Sequence, residues 1–176
     1  MASAPVLPQV SVEEYERTPQ LFEFYEYVDG VLIKKPVPTN RHSELQMWIG
    51  ALLLQHYSRL FIGSERHSRL RERIWRIPDI AVQQREIARK EKYAFTPLLV
   101  AIEIRSPEDK WSEIFEKFED YHLWGVPYCW LIDPEAERAW TYHKGEDFEE
   151  VTGKAQIQAG EIHLSIEEIF SRLHEN

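Results

Sequence analysis

Two carboxylates stand in successive apolar segments: Asp79, between Pro78 and Ile80-Ala81-Val82, and Glu103, within Leu98-Leu99-Val100-Ala101-Ile102-Glu103-Ile104-Arg105. A carboxylate at the edge of an apolar strand is costly to desolvate unless it is paired, hydrogen-bonded or bound to a cation. Side chains alternate along a strand, so Ala101, Glu103 and Arg105 share one face and Val100, Ile102 and Ile104 the other. By the same rule Asp79, Ala81 and Gln83 oppose Ile80 and Val82. If the two strands are neighbours, Asp79 and Glu103 converge on one hard cation, and oxygen ligands favour Mg²⁺ or Mn²⁺ over zinc. Such a cation lowers the pKa of a bound water and stabilises negative charge on phosphoryl oxygens, the chemistry of phosphodiester hydrolysis. The competing reading is a pair of salt-bridged acids, with Arg105 as the obvious partner.

A second group of candidates is cationic. Glu113, Lys117 and Tyr121 lie one turn apart on the flank of a predicted helix over 109–124, whose apolar face carries Trp111, Ile114, Phe115, Phe118 and His122. Read alone, Glu113 and Lys117 form a surface pair contributing ~0.3–0.5 kcal/mol. The net charge of −9 argues against generic nucleic-acid affinity, which is driven by Lys and Arg releasing counterions. Its distribution is uneven, however. Residues 59–92 hold ten Lys and Arg against five Asp and Glu, or +5, and the rest of the chain holds 11 against 25, or −14. Arg69, Arg71 and Arg73 alternate on a predicted strand, which would put three guanidinium groups on one face, either as a phosphate-contacting stripe or as charge protecting a solvated edge.

The elements that must position these groups follow from local signals. Ser11-Val12-Glu13-Glu14 has the form of a capping box opening a short helix to about Arg17, with Thr18-Pro19 ending it. Phe22 to Val28, Asp29-Gly30 and Val31-Leu32-Ile33 read as a hairpin, because Asp-Gly tolerates the positive φ of a type I′ turn. From Asn40 to about Leu60 the apolar residues recur at helical spacing, which predicts a long buried helix packed on the sheet. Residues 68–76, 79–83, 97–105 and 128–132 read as strands. Residues 138–164 read as a peripheral antiparallel meander, and a last helix follows Ser165 with Glu168 at its capping-box position. The order of elements predicts an α/β fold: a mixed sheet with helices on both faces.

With 176 residues and 43% hydrophobic content, the chain is long enough for one substantial core and a single domain, 1–176. Its one cysteine, Cys129, excludes an internal disulfide and a multi-thiolate zinc site. Met1 to Pro5 lacks a signal-peptide pattern and no apolar run approaches a bilayer span, so the expectation is a soluble cytoplasmic protein with no membrane association.

Taken in order, Glu26-Tyr27-Val28-Asp29-Gly30, Pro36-x-Pro38-x3-His42, Pro78-Asp79-Ile80-Ala81-Val82, Glu103-Ile104-x-Ser106-Pro107, Lys117-x3-Tyr121-x3-Gly125-Val126-Pro127 and Trp130-Leu131-Ile132-Asp133-Pro134 resemble the Uma-two type of restriction endonuclease, within the PD-(D/E)xK nuclease superfamily. The matching blocks run from about residue 20 to 134. The resemblance implies a restriction-endonuclease-like fold over that core, with C-terminal hairpins and a helix over 135–176. It implies a metal-dependent endodeoxyribonuclease: Asp79 and Glu103 as ligands of Mg²⁺ or Mn²⁺, Glu26 as a further carboxylate, Lys117 as the lysine that assists water attack, and DNA as substrate. His42 falls at the family's histidine position, in contact with substrate or with a carboxylate of the site. Arg105 stands where the family is commonly apolar, as a helper or as a salt-bridge partner that blocks the site; being permanently protonated, it could not act as a general base. A nuclease-like domain without catalysis, serving binding or assembly, is the alternative. Cleaving both strands of a duplex needs two active sites, so a homodimer is expected.

Overall fold

The computed structural model describes residues 10–18 and 21–174; Pro19 and the first nine residues lie outside the described residues. The N-terminal part runs α1 (Val12–Arg17), β1 (Tyr25–Val28), β2 (Val31–Lys34), α2 (Asn40–His56), β3 (Leu60–Ser64), β4 (Ser68–Arg71) and β5 (Ile74–Arg76). Then come β6 (Ile80–Gln84), α3 (Arg85–Ala88), β7 (Val100–Ile104), α4 (Trp111–Trp124) and β8 (Tyr128–Asp133). The chain closes with β9 (Arg138–His143), β10 (Phe148–Val151), β11 (Gln156–Ala159), β12 (Ile162–Ser165) and α5 (Ile166–Ser171). The predicted mixed α/β architecture is present. No helix among the described residues is long and apolar enough to cross a membrane.

Six strands form the central sheet in the order β10-β9-β8-β7-β6-β3, with only β7 and β8 parallel. One face packs Val100, Ile102 and Ile104 with Ile80 and Val82 beneath Leu45, Ile49, Leu52 and Leu53 of α2, and with apolar residues of β12 and α5. The other face packs Ala81 and Ala101 against Ile114, Phe118 and Tyr121 of α4. The alternation read from the sequence is therefore the alternation of the sheet. A second sheet, β2-β1-β5-β4, approaches from the α4 side, and α1 covers it through Tyr15, packed with Tyr27 and Trp75.

Local expectations mostly hold. Asp29 and Gly30 take φ of 50° and 94° at the first hairpin, and Ser11 accepts the amide of Glu14 at the start of α1. At α5 the capping box is complete in both directions. Two segments differ. Residues 68–76 are not one strand but the hairpin β4–β5, with a register shift between Arg69 and Arg71, so Arg69, Arg71 and Arg73 do not line one strand face. The long helix ends at His56, and Leu60 begins β3, an edge strand that the helical periodicity concealed. Among the C-terminal strands, β9 and β10 extend the edge of the central sheet, while β11 and β12 form a separate hairpin.

Candidate active site

Register builds the site. Ile80 pairs with Ile102 and Ala81 with Ala101 in antiparallel β6–β7, so the next position outward brings Asp79 beside Glu103 on the α4 face. Asp79 is 3% exposed and Glu103 5%. Asp79 Oδ2 accepts the backbone amide of Ile104 at 2.7 Å, which ties the carboxylate to the neighbouring strand. Lys35, just past β2, donates from Nζ to Asp79 Oδ1 at 2.7 Å, to Glu65 at 2.6 Å and to the Ile77 carbonyl at 2.8 Å. His42, in the first turn of α2, brings Nε2 to 3.3 Å from Asp79 Oδ2. Burial opposes ionisation of Asp79, yet Lys35 and His42 outweigh it and hold this carboxyl well below the ordinary range. The same pairing lifts His42 above its ordinary value against the effect of burial.

Glu103 has a different set of donors. Tyr121 donates its hydroxyl to Oε1 at 2.7 Å, and Lys117 Nζ lies 3.2 Å from Oε2. Both come from α4, four residues apart and therefore on one face. Burial pushes the Glu103 carboxyl up to about 7; Lys117 opposes that rise and the adjacent Asp79 adds to it. Lys117 is itself held above the usual lysine range, because Glu103 and Glu26 outweigh its burial. It is a fixed cation and a poor general base.

Glu26 sits on β1, 1% exposed, and accepts from Arg76 at 2.9 Å and from the Ile77 amide at 3.0 Å, with Lys117 at 3.2 Å. Arg76 continues to Asp120 of α4 at 2.7 Å. Among the described residues no group of three or more His, Cys, Asp or Glu side chains is arranged to hold a metal ion. Glu26, expected as a further carboxylate of the site, pairs with Arg76 and Lys117 and so joins the small sheet to α4. Asp79 and Glu103 remain as the pair whose chemistry fits a hard divalent cation, being adjacent and oxygen-only.

Arg105 makes no ion pair with Asp79 or Glu103 among the described residues, although it lines a cleft together with Glu103 and Lys117. Its Nη1 donates to Asp133 at 2.7 Å and its guanidinium lies 5.3 Å from the centre of the Trp111 ring. The arginine stripe is neutralised as well: Arg69 pairs with Glu16 at 3.3 Å, Arg71 with Asp120, and Arg73 with Asp29 at 3.3 Å. Lys35, Glu65 and Gln46 were not anticipated. Gln46 donates to the Asp79 carbonyl at 2.8 Å and to Glu65 at 2.9 Å. For Lys35 a sequence signal exists, a lysine at the end of a hairpin directly before Pro36; Glu65 and Gln46 offer none, since each reads as an ordinary surface residue.

The carboxylate pair opens to solvent through a cleft of about 230 Å³ lined by His42, Glu65, Asp79, Glu103 and Lys117. It adjoins a second of about 380 Å³ that shares Lys35, Glu103 and Lys117 and reaches Glu26. Asp79 and Glu103, at the base of these clefts, are themselves buried.

Comparison with known proteins agrees with this architecture. The Uma2 family, described as "Putative restriction endonuclease", matches residues 12–173. A solved structure described as "a putative nuclease belonging to DUF820" from Anabaena variabilis ATCC 29413 superposes with a TM-score of 0.82 at 24% identity, over 93% of this chain and 99% of that one. At that identity the likeness is one of fold. No curated protein matches.

Proposed function

The chain belongs to the Uma2 restriction endonuclease family, and on that premise we propose that it hydrolyses DNA phosphodiester bonds with Mg²⁺ or Mn²⁺ held by Asp79 and Glu103. The observation that carries this reading is the β6–β7 register, with two buried carboxylates side by side and Lys117 3.2 Å from one of them. A divalent cation at such a pair supplies an acidified water and charge neutralisation at phosphoryl oxygens.

The protein's own groups prepare the ground. Lys35, His42 and the Ile104 amide keep Asp79 ionised and oriented, and Tyr121 fixes one oxygen of Glu103. Lys117, permanently charged at the mouth of the cleft, stabilises negative charge that develops on the scissile phosphate; Glu26 sets where its ammonium sits. Arg105 is held by Asp133. A homodimer would supply the two sites needed to cut both strands.

The test is cleavage of supercoiled plasmid with Mn²⁺ or Mg²⁺. Wild type is expected to nick and then linearise it, and Asp79→Ala or Glu103→Ala to lose at least about 100-fold in rate, the scale of removing a group that stabilises a transition state. Equal cleavage by wild type and Asp79→Ala would sink the assignment.

A further inference from the structure

The ten cations of the basic segment 59–92 divide into two groups. Arg69, Arg71, Arg73 and Arg76 are paired with carboxylates. The other six, Arg59, Arg66, Arg85, Arg89, Lys90 and Lys92, enter no ion pair among the described residues. The unpaired positive charge of the segment therefore stands beside β3 and α3, and the stretch after α3 lies against the β4–β5 hairpin, where Ala94 bridges Ser68 and the Tyr93 ring lies 5.7 Å from that of Trp75. Glu91, the acid inside this group, directs its carboxylate to the amides of Phe95 and Thr96. Glu86 is the other acid there and is exposed.

Aromatic rings accompany these cations. The Arg66 guanidinium lies 4.7 Å from the centre of the Phe61 ring, and Arg66 Nη2 meets the Glu91 carbonyl at 3.4 Å, which brings the 89–92 turn beside it. Lys92 Nζ lies 5.2 Å from the Tyr93 ring. Phe61 leans over Gly63, where a Cβ would meet its ring at 2.6 Å, so glycine is what leaves room for it.

The patch and the carboxylate pair share a sheet face. Phe61 is opposite Gln83 and Gly63 opposite Ala81, on the face that carries Asp79, and the Glu65 amide bonds to the Asp79 carbonyl at 3.2 Å. From Glu65 to Phe61 is four residues of extended chain, roughly 13 Å at ~3.3 Å per residue. Because β3 is the outer strand of its sheet, that track runs along an open edge. Unpaired cations with interleaved aromatics are the chemistry that holds a nucleic-acid backbone.

We infer that this edge, with Arg66, Arg89, Lys90 and Lys92, is the surface that grips the phosphate backbone of DNA leading to the Asp79–Glu103 site. The inference rests on the nuclease reading for the identity of its ligand. On this reading phosphate contact falls to cations that make no ion pair among the described residues, in place of Arg69, Arg71 and Arg73, which each pair with a carboxylate.

The experiment measures binding of fluorescein-labelled 20-nucleotide single-stranded and duplex DNA by anisotropy, in EDTA, across a salt series. Arg89→Glu/Lys90→Glu/Lys92→Glu alters exposed side chains, and circular dichroism confirms its fold. It is expected to weaken binding at least tenfold and to reduce the slope of log K against log salt by about 2–3 on duplex, as loss of three phosphate contacts requires. The control Arg17→Glu/Lys144→Glu/Lys154→Glu changes net charge equally at places remote in sequence from the patch and is expected to bind within twofold of wild type. Equal weakening by both triple variants, unchanged binding by the first, or wild type that binds neither DNA would overturn the inference. Wild type that binds through the patch yet never cleaves with Mn²⁺ would leave this surface standing and remove the nuclease reading alone.

Discussion

Lys117 is the residue on which the site's balance turns, because one ammonium serves two buried carboxylates, Glu26 and Glu103. Removing one partner of a buried pair leaves an uncompensated charge and costs about 3–5 kcal/mol; with Lys117 about one-fifth exposed, the lower end applies. Lys117→Met is therefore expected to lose about 3 kcal/mol near pH 7.5 along with its cleavage. The pH dependence follows from Glu103, whose carboxyl is lifted to about 7 in the folded protein. A carboxyl with a raised folded pKa favours folding while protonated, and that advantage is lost as pH rises from its unfolded value toward its folded one. Without Lys117 the carboxyl rises further, so the deficit of the variant is largest above pH 7 and shrinks toward pH 5. Urea unfolding at both pH values reads this directly. A deficit that stayed constant would mean that Lys117 contributes packing and not charge.

At the scale of elements, α4 must stop in the right place for Lys117 and Tyr121 to face the sheet. Gly125 closes it at φ 113°, and its amide bonds back to the carbonyls of Tyr121 and His122. A Cβ there would meet Pro97 at 3.3 Å in a backbone conformation that side chains disfavour. Gly125→Ala is expected to cost about 1–2 kcal/mol, read as a lower urea midpoint at unchanged m, with most of the loss traceable to the left-handed conformation. This stop was legible from Gly125-Val126-Pro127, as were the Asp29-Gly30 hairpin, both N-caps and the faces of β6 and β7. Each is a local signal with a local cause. What was not legible depends on partners distant in the chain. The helical spacing through Leu60 masked β3, whose edge position is a property of the whole sheet. Arg69, Arg71 and Arg73 alternate in sequence as a strand would, and only Glu16, Asp120 and Asp29 show that each is already satisfied. Asp79 and Glu103 could be nominated by type and strand position, whereas Lys117 and His42 were singled out only by the family resemblance. Lys35 and Glu65 enter the site because β2 and β3 end beside Asp79, a fact of topology.

At the scale of the molecule, charge is divided between an acidic body and one basic segment, and this decides how a metal site can be told from general cation attraction. The chain outside 59–92 carries −14, so divalent ions will gather on its surface whatever the active site does. A cation bound specifically to the folded state adds stability as RT ln(1 + [L]/Kd), about 2.7 kcal/mol at 100 times Kd. For a chain of this size that raises Tm by roughly 5–10 °C. Diffuse attraction screens with salt, whereas a buried pair is screened far less. Wild type in 200 mM KCl is therefore expected to gain thermal stability on addition of Mn²⁺ or Mg²⁺. Asp79→Asn keeps the shape of the side chain and removes its charge from the pair, so its gain should vanish. If that variant gains as much as wild type, the stabilising cation lies on the acidic surface and the Asp79–Glu103 pair is a salt-bridged anchor for Lys35 and Lys117. Loss of the gain in Asp79→Asn, with Glu65→Gln retaining it, would assign the cation to the carboxylates that β6 and β7 bring together.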